Sequence, residues 1–253
     1  MDREQLGSLQ LNRIYQMDAI EGMKLLPDKS IDMILSDLPY GMTDHEWDTI
    51  IPFDPLWEQY QRILKKGAAI VLTASQPFTS KLVMSKLDWF KYSWVWQKSY
   101  ASNPLMAKKH PLKIHEDICV FAERSAPYFP QGLIDYQGSQ KRRKNFKAWG
   151  YKGRDNYIQT KTNYPKSILP FTNERGLHPT QKPVALFEYL IKTYTQKGDI
   201  VLDSCMGSGT TAVAATISQR RWIGFETSPN YFEVANKRLE FIQLDDDLKD
   251  YQF

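Results

Sequence analysis

The stretch Ile31 to Gly41, IDMILSDLPYG, limits what this chain can become more than any other segment. Ile31, Met33, Ile34 and Leu35 form a short apolar run that reads as a strand buried on both faces. Pro39 donates no ladder hydrogen bond and pushes Leu38 towards an extended backbone, so the strand has to stop there. Gly41 permits a sharp exit. A carboxylate (Asp37) and a ring (Tyr40) are thereby held on a stiff loop at the C-terminal end of a strand, which is where open α/β sheets bind ligands. The competing reading is an ordinary turn, since Asp and Pro are common turn formers.

A second motif lies far downstream. Val201 to Thr211, VLDSCMGSGTT, reads as strand, glycine-rich turn and helix. Its glycines let backbone pass close to a ligand, and a helix N-terminus offers free N–H groups to negative charge. Glu226 closes the next apolar run, RWIGFE, where an acid can chelate a ribose diol. Together these form a nucleoside-cofactor signature; a purely structural βαβ turn with a chance acid is the alternative.

The 253 residues suffice for one large domain or a domain with an inserted module. No apolar run has membrane-spanning length, and Met1 to Asn12 is too polar for a signal peptide, so a cytoplasmic protein without a membrane partner is expected. Cys119 and Cys205 sit in apolar segments and read as two buried thiols in a reducing compartment. His45, His110, His115 and His178 show no metal-ligand spacing with them, so no metal site is expected. Charge is uneven. Between Gln140 and Arg175 ten Lys/Arg face only Asp155 and Glu174, a local net of +8 in a chain of net +4, which leaves −4 for the remainder. Such a window suits a polyanion.

Periodicity places a strand at Arg13–Met17, a helix at Ala19–Leu26, and a helix at Leu56–Leu64 with a basic last turn and glycine stop at Lys65-Lys66-Gly67. A strand follows at Ala68–Leu72, a helix at Pro77–Lys86, and two strands, Phe90–Gln97 and Asp117–Ala122, forming a late hairpin. No regular period emerges from Glu123 to Gly176. Helices then start at Pro183, Thr210 and Asn230 around strands Asp199–Asp203 and Arg221–Glu226, and an acidic, exposed tail is expected from Asp245.

The pairing of an Asp-x-Pro-Tyr loop with a glycine-rich βαβ unit, in that order and separated by a basic region, resembles the β class of S-adenosylmethionine (SAM)-dependent DNA amino-methyltransferases. The resemblance runs from about Ile14 to Leu239 and includes Met17-Asp18, His115-Glu116-Asp117 and His178-Pro179-Thr180-Gln181-Lys182-Pro183. It departs from the family at Leu38, usually proline, and at Ser204-Cys205, usually Pro-Phe. It implies a Rossmann-like α/β fold with a mostly parallel seven-stranded sheet, one strand antiparallel, permuted so that the catalytic half precedes the SAM-binding half. Residues 1–122 would be the catalytic half, 123–176 a target-recognition insertion and 177–253 the SAM-binding half. Asp37, the Leu38 carbonyl, Pro39 and Tyr40 would form the catalytic motif. Asp18, Asp37, Thr180, Lys182, Asp203, Gly207, Gly209, Thr210 and Glu226 would bind the cofactor, and Lys141, Arg142, Arg143, Lys144, Lys147 and Arg154 would contact DNA. His115 reads as structural, since this chemistry needs no base of its pKa. The resemblance implies duplex DNA as partner and admits a second copy of the chain and a cognate restriction endonuclease. Adenine N6 is the expected target because Asp37 opens the motif; Ser36 before it keeps cytosine N4 as the alternative, and a non-catalytic DNA-binding member of the fold is a third reading.

Overall fold

A central sheet of eight strands, β10-β6-β7-β5-β4-β11-β12-β3, organises the computed structural model, which describes residues 4–42, 48–137, 159–174 and 181–249, with side chains to 241. In chain order the elements are β1 (Gln5–Leu6), β2 (Leu9–Gln10), β3 (Arg13–Gln16), α1 (Ala19–Lys24), β4 (Ile31–Asp37), α2 (Phe53–Ile63), β5 (Leu64–Ala74), α3 (Phe78–Ser85), β6 (Phe90–Gln97) and β7 (His115–Phe121). They continue with β8 (Ile134–Asp135), β9 (Lys161–Thr162), β10 (Ile168–Pro170), α4 (Val184–Tyr194), β11 (Ile200–Asp203), α5 (Thr210–Ile217), β12 (Arg221–Glu226) and α6 (Pro229–Lys249). Within this eight-stranded sheet only β7 runs antiparallel, against both β5 and β6, as the expected hairpin requires. The α/β architecture holds, but seven strands become eight. The extra one is β10, which pairs in parallel with Val95–Gln97. Three residues ending in proline show no usable alternation, so this edge strand is invisible to periodicity.

The chain divides into two compact units, residues 1–129 with 167–253, and residues 130–166. In the smaller unit β8 pairs with β9, supported by Lys161 on Asp135 at 2.5 Å and by Asn163 donating to the Gly132 carbonyl. In the larger unit the two faces of the sheet carry separate cores. Ile34 and Leu202 face Met23, Leu56, Tyr60 and Phe78 of α1, α2 and α3. Met33, Leu35 and Val201 face Leu186, Leu190, Ala214 and Ala235 of α4, α5 and α6. Helices on both sides explain why β4 and β11 read as continuous apolar runs.

One junction contradicts the sequence reading. Instead of a basic helical turn, Leu64-Lys65-Lys66-Gly67 already belongs to β5, and α2 passes into it without a loop. The cause is non-local. Lys65 Nζ lies 2.8 Å from both carboxylate oxygens of Asp32 on β4, and Asp32 Oδ2 also accepts from the Ile200 amide at the head of β11. Similarly, α4 stops at Thr195 rather than at Gly198, because the Thr195 hydroxyl donates to the Ile191 carbonyl and both its side chain and its carbonyl accept from buried Arg220. The helix from Pro229 extends to Lys249, past the expected start of the tail.

On β12 a close approach sets the geometry of the glycine-rich turn. A Cβ at Gly224 would sit 2.0 Å from Met206 Cε and 3.3 Å from the Asp203 carbonyl, so any larger residue there must push the Met206 side chain aside and crowd the turn. Gly224→Ala is expected to lower stability by about 1–3 kcal/mol with an unchanged urea m-value, read by equilibrium unfolding.

Candidate active site

Asp37 ends β4, and three groups converge on its carboxylate. Tyr40 Oη lies 2.8 Å from Oδ1, the Thr73 hydroxyl on β5 donates to the same oxygen, and Lys182 Nζ donates to Oδ2 at 2.6 Å. Tyr40 Oη also lies 3.1 Å from Thr73 Oγ1, and its ring stacks on Phe78 with centroids 5.2 Å apart. Burial first, then the charges of Asp37 and Glu116, push the Tyr40 phenol well above its ordinary range, so it stays a donor. Leu38 buries its side chain in the core beneath the loop. Asp48, which sequence reasoning missed, accepts from the Gly41 and Met42 amides at 2.8 Å each and closes the turn.

Lys182 is 4% exposed and lies between Asp37 and Glu116, whose Oε2 is 3.3 Å away. Burial alone would favour the neutral amine; the two carboxylates reverse this and hold Lys182 above the usual lysine range. Glu116 in turn pairs with Lys98 at 2.5 Å. Burial would raise the Glu116 carboxyl, but Lys182 and Lys98 bring it below its ordinary value. The result is an alternating row, Asp37–Lys182–Glu116–Lys98, in which Glu116 belongs to the His115-Glu116-Asp117 motif and Lys98 carried no signal of its own in the sequence. His115, next to Glu116, is exposed.

The glycine-rich turn follows β11. Asp203 accepts from the Cys205 amide at 2.9 Å and from the Thr211 hydroxyl, and burial pushes its carboxyl up to about 7. Gly209 adopts φ +83° as the cap of α5, and a Cβ there would press on Ala235 at 3.1 Å. Gly207 adopts φ +53°, and a Cβ there would meet nothing within 4 Å. Glu226 accepts from the Gly207 amide at 2.7 Å and from the Ser228 amide at 2.8 Å, which fixes the acid against the turn. Thr210 is buried, its hydroxyl 3.3 Å from the Lys182 carbonyl. Asp18 caps α1 through the Ile20 and Glu21 amides. Cys119 is a buried thiol, but Cys205 is only half-buried, because its side chain borders a cavity rather than the core alone.

That cavity has a volume of about 1440 Å³, and Asp18, Asp37, Lys182, Asp203, Gly207 and Glu226 all line it. The two sequence motifs therefore share one cleft. Thr180, Lys141, Arg142, Arg143, Lys144, Lys147 and Arg154 lie outside the described residues.

What joins the motifs is a hydroxyl cluster. Ser36 Oγ accepts from the Ser204 amide at 2.9 Å and lies 3.1 Å from Ser204 Oγ, which is 2.7 Å from buried Tyr60 Oη. The departure at Ser204 is thus accommodated by polar partners from β4 and α2. Ser204→Ala leaves the Tyr60 hydroxyl buried without that partner and is expected to cost about 1–3 kcal/mol, read by urea unfolding.

Asp203 gives a pH signature. Folded, it keeps its proton to about pH 7; the free carboxyl loses it near 3.8, so between these values the folded state binds more protons and stability falls as pH rises. Asp203→Asn should remove this contribution, up to about 1.4 kcal/mol per pH unit, from unfolding free energies measured across the window.

A family model for DNA methylases of the N6/N4 type matches residues 31–237. The DNA adenine methyltransferase YhdJ of Escherichia coli (strain K12) is 31% identical over 249 residues, covering 90% of this chain and 82% of that protein. Among solved structures, the M1.HpyAVI–SAM complex superposes with TM-score 0.61 at 24% identity, over 89% of this chain and 98% of the other. The PvuII DNA methyltransferase, described as cytosine-N4-specific, does so with TM-score 0.66 at 16% identity, over 88% and 84%.

Proposed function

The chain belongs to the N6/N4 DNA methylase family, and on that premise we propose that it transfers a methyl group from SAM to the N6 amino group of an adenine swung out of duplex DNA. The observation that carries this reading is the single cleft holding Asp37 and the Gly207–Gly209 turn together. At about 1440 Å³ it exceeds the roughly 300–1,000 Å³ of a pocket for one small ligand, as a site for both a nucleoside cofactor and a base must.

The residues suit SAM. Open space beside Gly207 admits a ligand against the backbone. The Glu226 oxygens, held by backbone amides of Gly207, Thr227 and Ser228, keep lone pairs for ribose hydroxyls. Asp203, Gly209 and Thr210 shape the turn, while Asp18 and Lys182 line the same cavity. Bound there, SAM supplies an electrophilic methyl group on a sulfonium.

An exocyclic amine conjugated to a ring is a weak nucleophile, and inside a duplex its base is out of reach. Oδ1 of Asp37 is taken by Tyr40 and Thr73, whereas among the described residues Oδ2 holds Lys182 alone, which leaves a lone pair to offer an amine N–H. The Leu38 carbonyl would accept the second. Two acceptors draw the nitrogen towards tetrahedral geometry and stabilise positive charge that exists only in the transition state. Glu116 offsets the positive charge of Lys182 beside that point. Tyr40, braced by Phe78 and by its hydroxyl, supplies aromatic surface for the base, and Pro39 stiffens the loop.

The basic residues Lys141, Arg142, Arg143, Lys144, Lys147 and Arg154, within a 123–176 target-recognition segment, would neutralise phosphates and read base edges. Cytosine N4 is the second reading: it offers the same kind of amine, and the PvuII enzyme shares the fold.

DNA incubated with enzyme and SAM, digested to nucleosides and weighed, should yield N6-methyldeoxyadenosine; N4-methyldeoxycytidine alone would overturn the choice of base. Asp37→Ala and Asp37→Asn should each lose at least about 100-fold in transfer rate while calorimetry shows SAM still bound. Turnover retained in both would refute the role given to Asp37.

A further inference from the structure

The segment joining β6 to β7 takes no part in the site described above except at its edge. From Lys98 to Ile114 it carries Lys98, Lys108, Lys109 and Lys113 and no acid. It is a built structure. The Lys98 amide donates to the Ile114 carbonyl at 2.8 Å, the Ser102 amide to the Lys113 carbonyl at 3.1 Å, and the Lys113 amide to Asn103 Oδ1 at 2.8 Å, so the hairpin stays zipped beyond the sheet. Ser99 is tied by its amide to Asn173 Oδ1 at 2.9 Å. Above this base the chain makes a tight helical turn, Pro104–Met106, closed by the Met106 amide on the Asn103 carbonyl and the Ala107 amide on the Pro104 carbonyl, and continued by the Lys109 and His110 amides on the Met106 carbonyl.

At the crest of the turn stands Leu105. It is 95% exposed, more than any other large hydrophobic side chain among the described residues; Phe241 follows at 72%. The residues before it, Ser102, Asn103 and Pro104, line the cavity that holds Asp37 and Tyr40. A fully exposed leucine on a hydrogen-bonded turn, at the mouth of the cleft and followed by the exposed cations Lys108 and Lys109, is complementary to an apolar surface flanked by negative charge. A duplex offers that combination: base faces within the stack and phosphates outside it. Extruding a base also leaves a gap, and leucine is among the side chains that wedge between base steps.

We propose that Leu105 is a wedge that enters the base stack beside the target and fills the space the extruded base vacates, with Lys108 and Lys109 on the neighbouring phosphates. The inference rests on the DNA-methyltransferase reading. It adds a residue that acts on the duplex and touches neither cofactor nor amine.

The test uses an oligonucleotide duplex built around the site that the wild-type enzyme marks in unmethylated genomic DNA. Leu105→Gly and Leu105→Asn should lower kcat/KM on the fully paired duplex by roughly tenfold or more. Both should stay within about threefold of wild type when the target base faces an abasic site, because its unpairing cost is then already reduced. Leu105→Phe should keep activity on both. With 2-aminopurine at the target position, the fluorescence rise seen with wild type should be lost with Gly and Asn. Unfolding midpoints and SAM affinity should not change for a side chain so exposed. Paired-duplex activity and fluorescence equal to wild type in the Gly and Asn variants would overturn the wedge, as would equal losses on both duplexes. A wild-type enzyme inert on all duplex DNA would overturn the functional reading and the wedge with it.

Discussion

The register between β4 and β11 is the constraint on which the site depends. These parallel strands lie side by side at the centre of the sheet, Met33 opposite Val201 and Ile34 opposite Leu202. Side chains of β4 clamp the pair at both ends. Asp32 takes the amide of Ile200 at the head of β11, and Ser36 takes the amide of Ser204 just past its end. A slip of one residue would break both clamps and exchange the faces of every side chain on the strand. With the register held, Asp37 and Asp203 leave the sheet at the same edge, and the loops they begin border one cleft.

Charge arranged around that edge does the next part of the work. Lys182, from just before α4, is buried between Asp37 and Glu116, so three segments distant in sequence meet at one ammonium group. An unpaired lysine at such burial would cost far more than its pairing returns, so the row Asp37–Lys182–Glu116–Lys98 stands or falls together. It leaves the Asp37 carboxylate with one oxygen held by Tyr40 and Thr73 and the other by Lys182, the oxygen to which the proposed function assigns the amine. Under the proposed function, positive charge arising there in the transition state would meet an acceptor already oriented, with little reorganisation left to do.

Much of this was legible in the sequence because it is local. The apolar run before Asp-Leu-Pro-Tyr, the glycine turn after Asp203 and the acid closing Arg221–Glu226 each announce themselves within a few residues, and all became strand ends or turns as expected. What escaped is what long-range partners decide. Ser36 and Ser204 are 168 residues apart, Lys182 and Asp37 145, and no spacing rule links them. Lys65-Lys66-Gly67 looked like a helix stop because locally it resembles one; the Asp32 carboxylate on the neighbouring strand drew it into β5 instead. Asp48, Lys98 and Tyr60 were silent for the same reason, being ordinary residues until the fold supplies their partners.

One contact decides the proposed function, that between an extruded amine and the Asp37 carboxylate beside the glycine turn. A crystal structure of the protein with a duplex substrate and a non-reactive SAM analogue measures it directly. The account predicts the target base outside the helix, its exocyclic nitrogen within about 3.2 Å of Asp37 Oδ2, and the analogue's amine-bearing or sulfur-equivalent centre against the Gly207–Gly209 bend. A base held in the cleft with that nitrogen on a different carboxylate, or an analogue bound away from the bend, would contradict it.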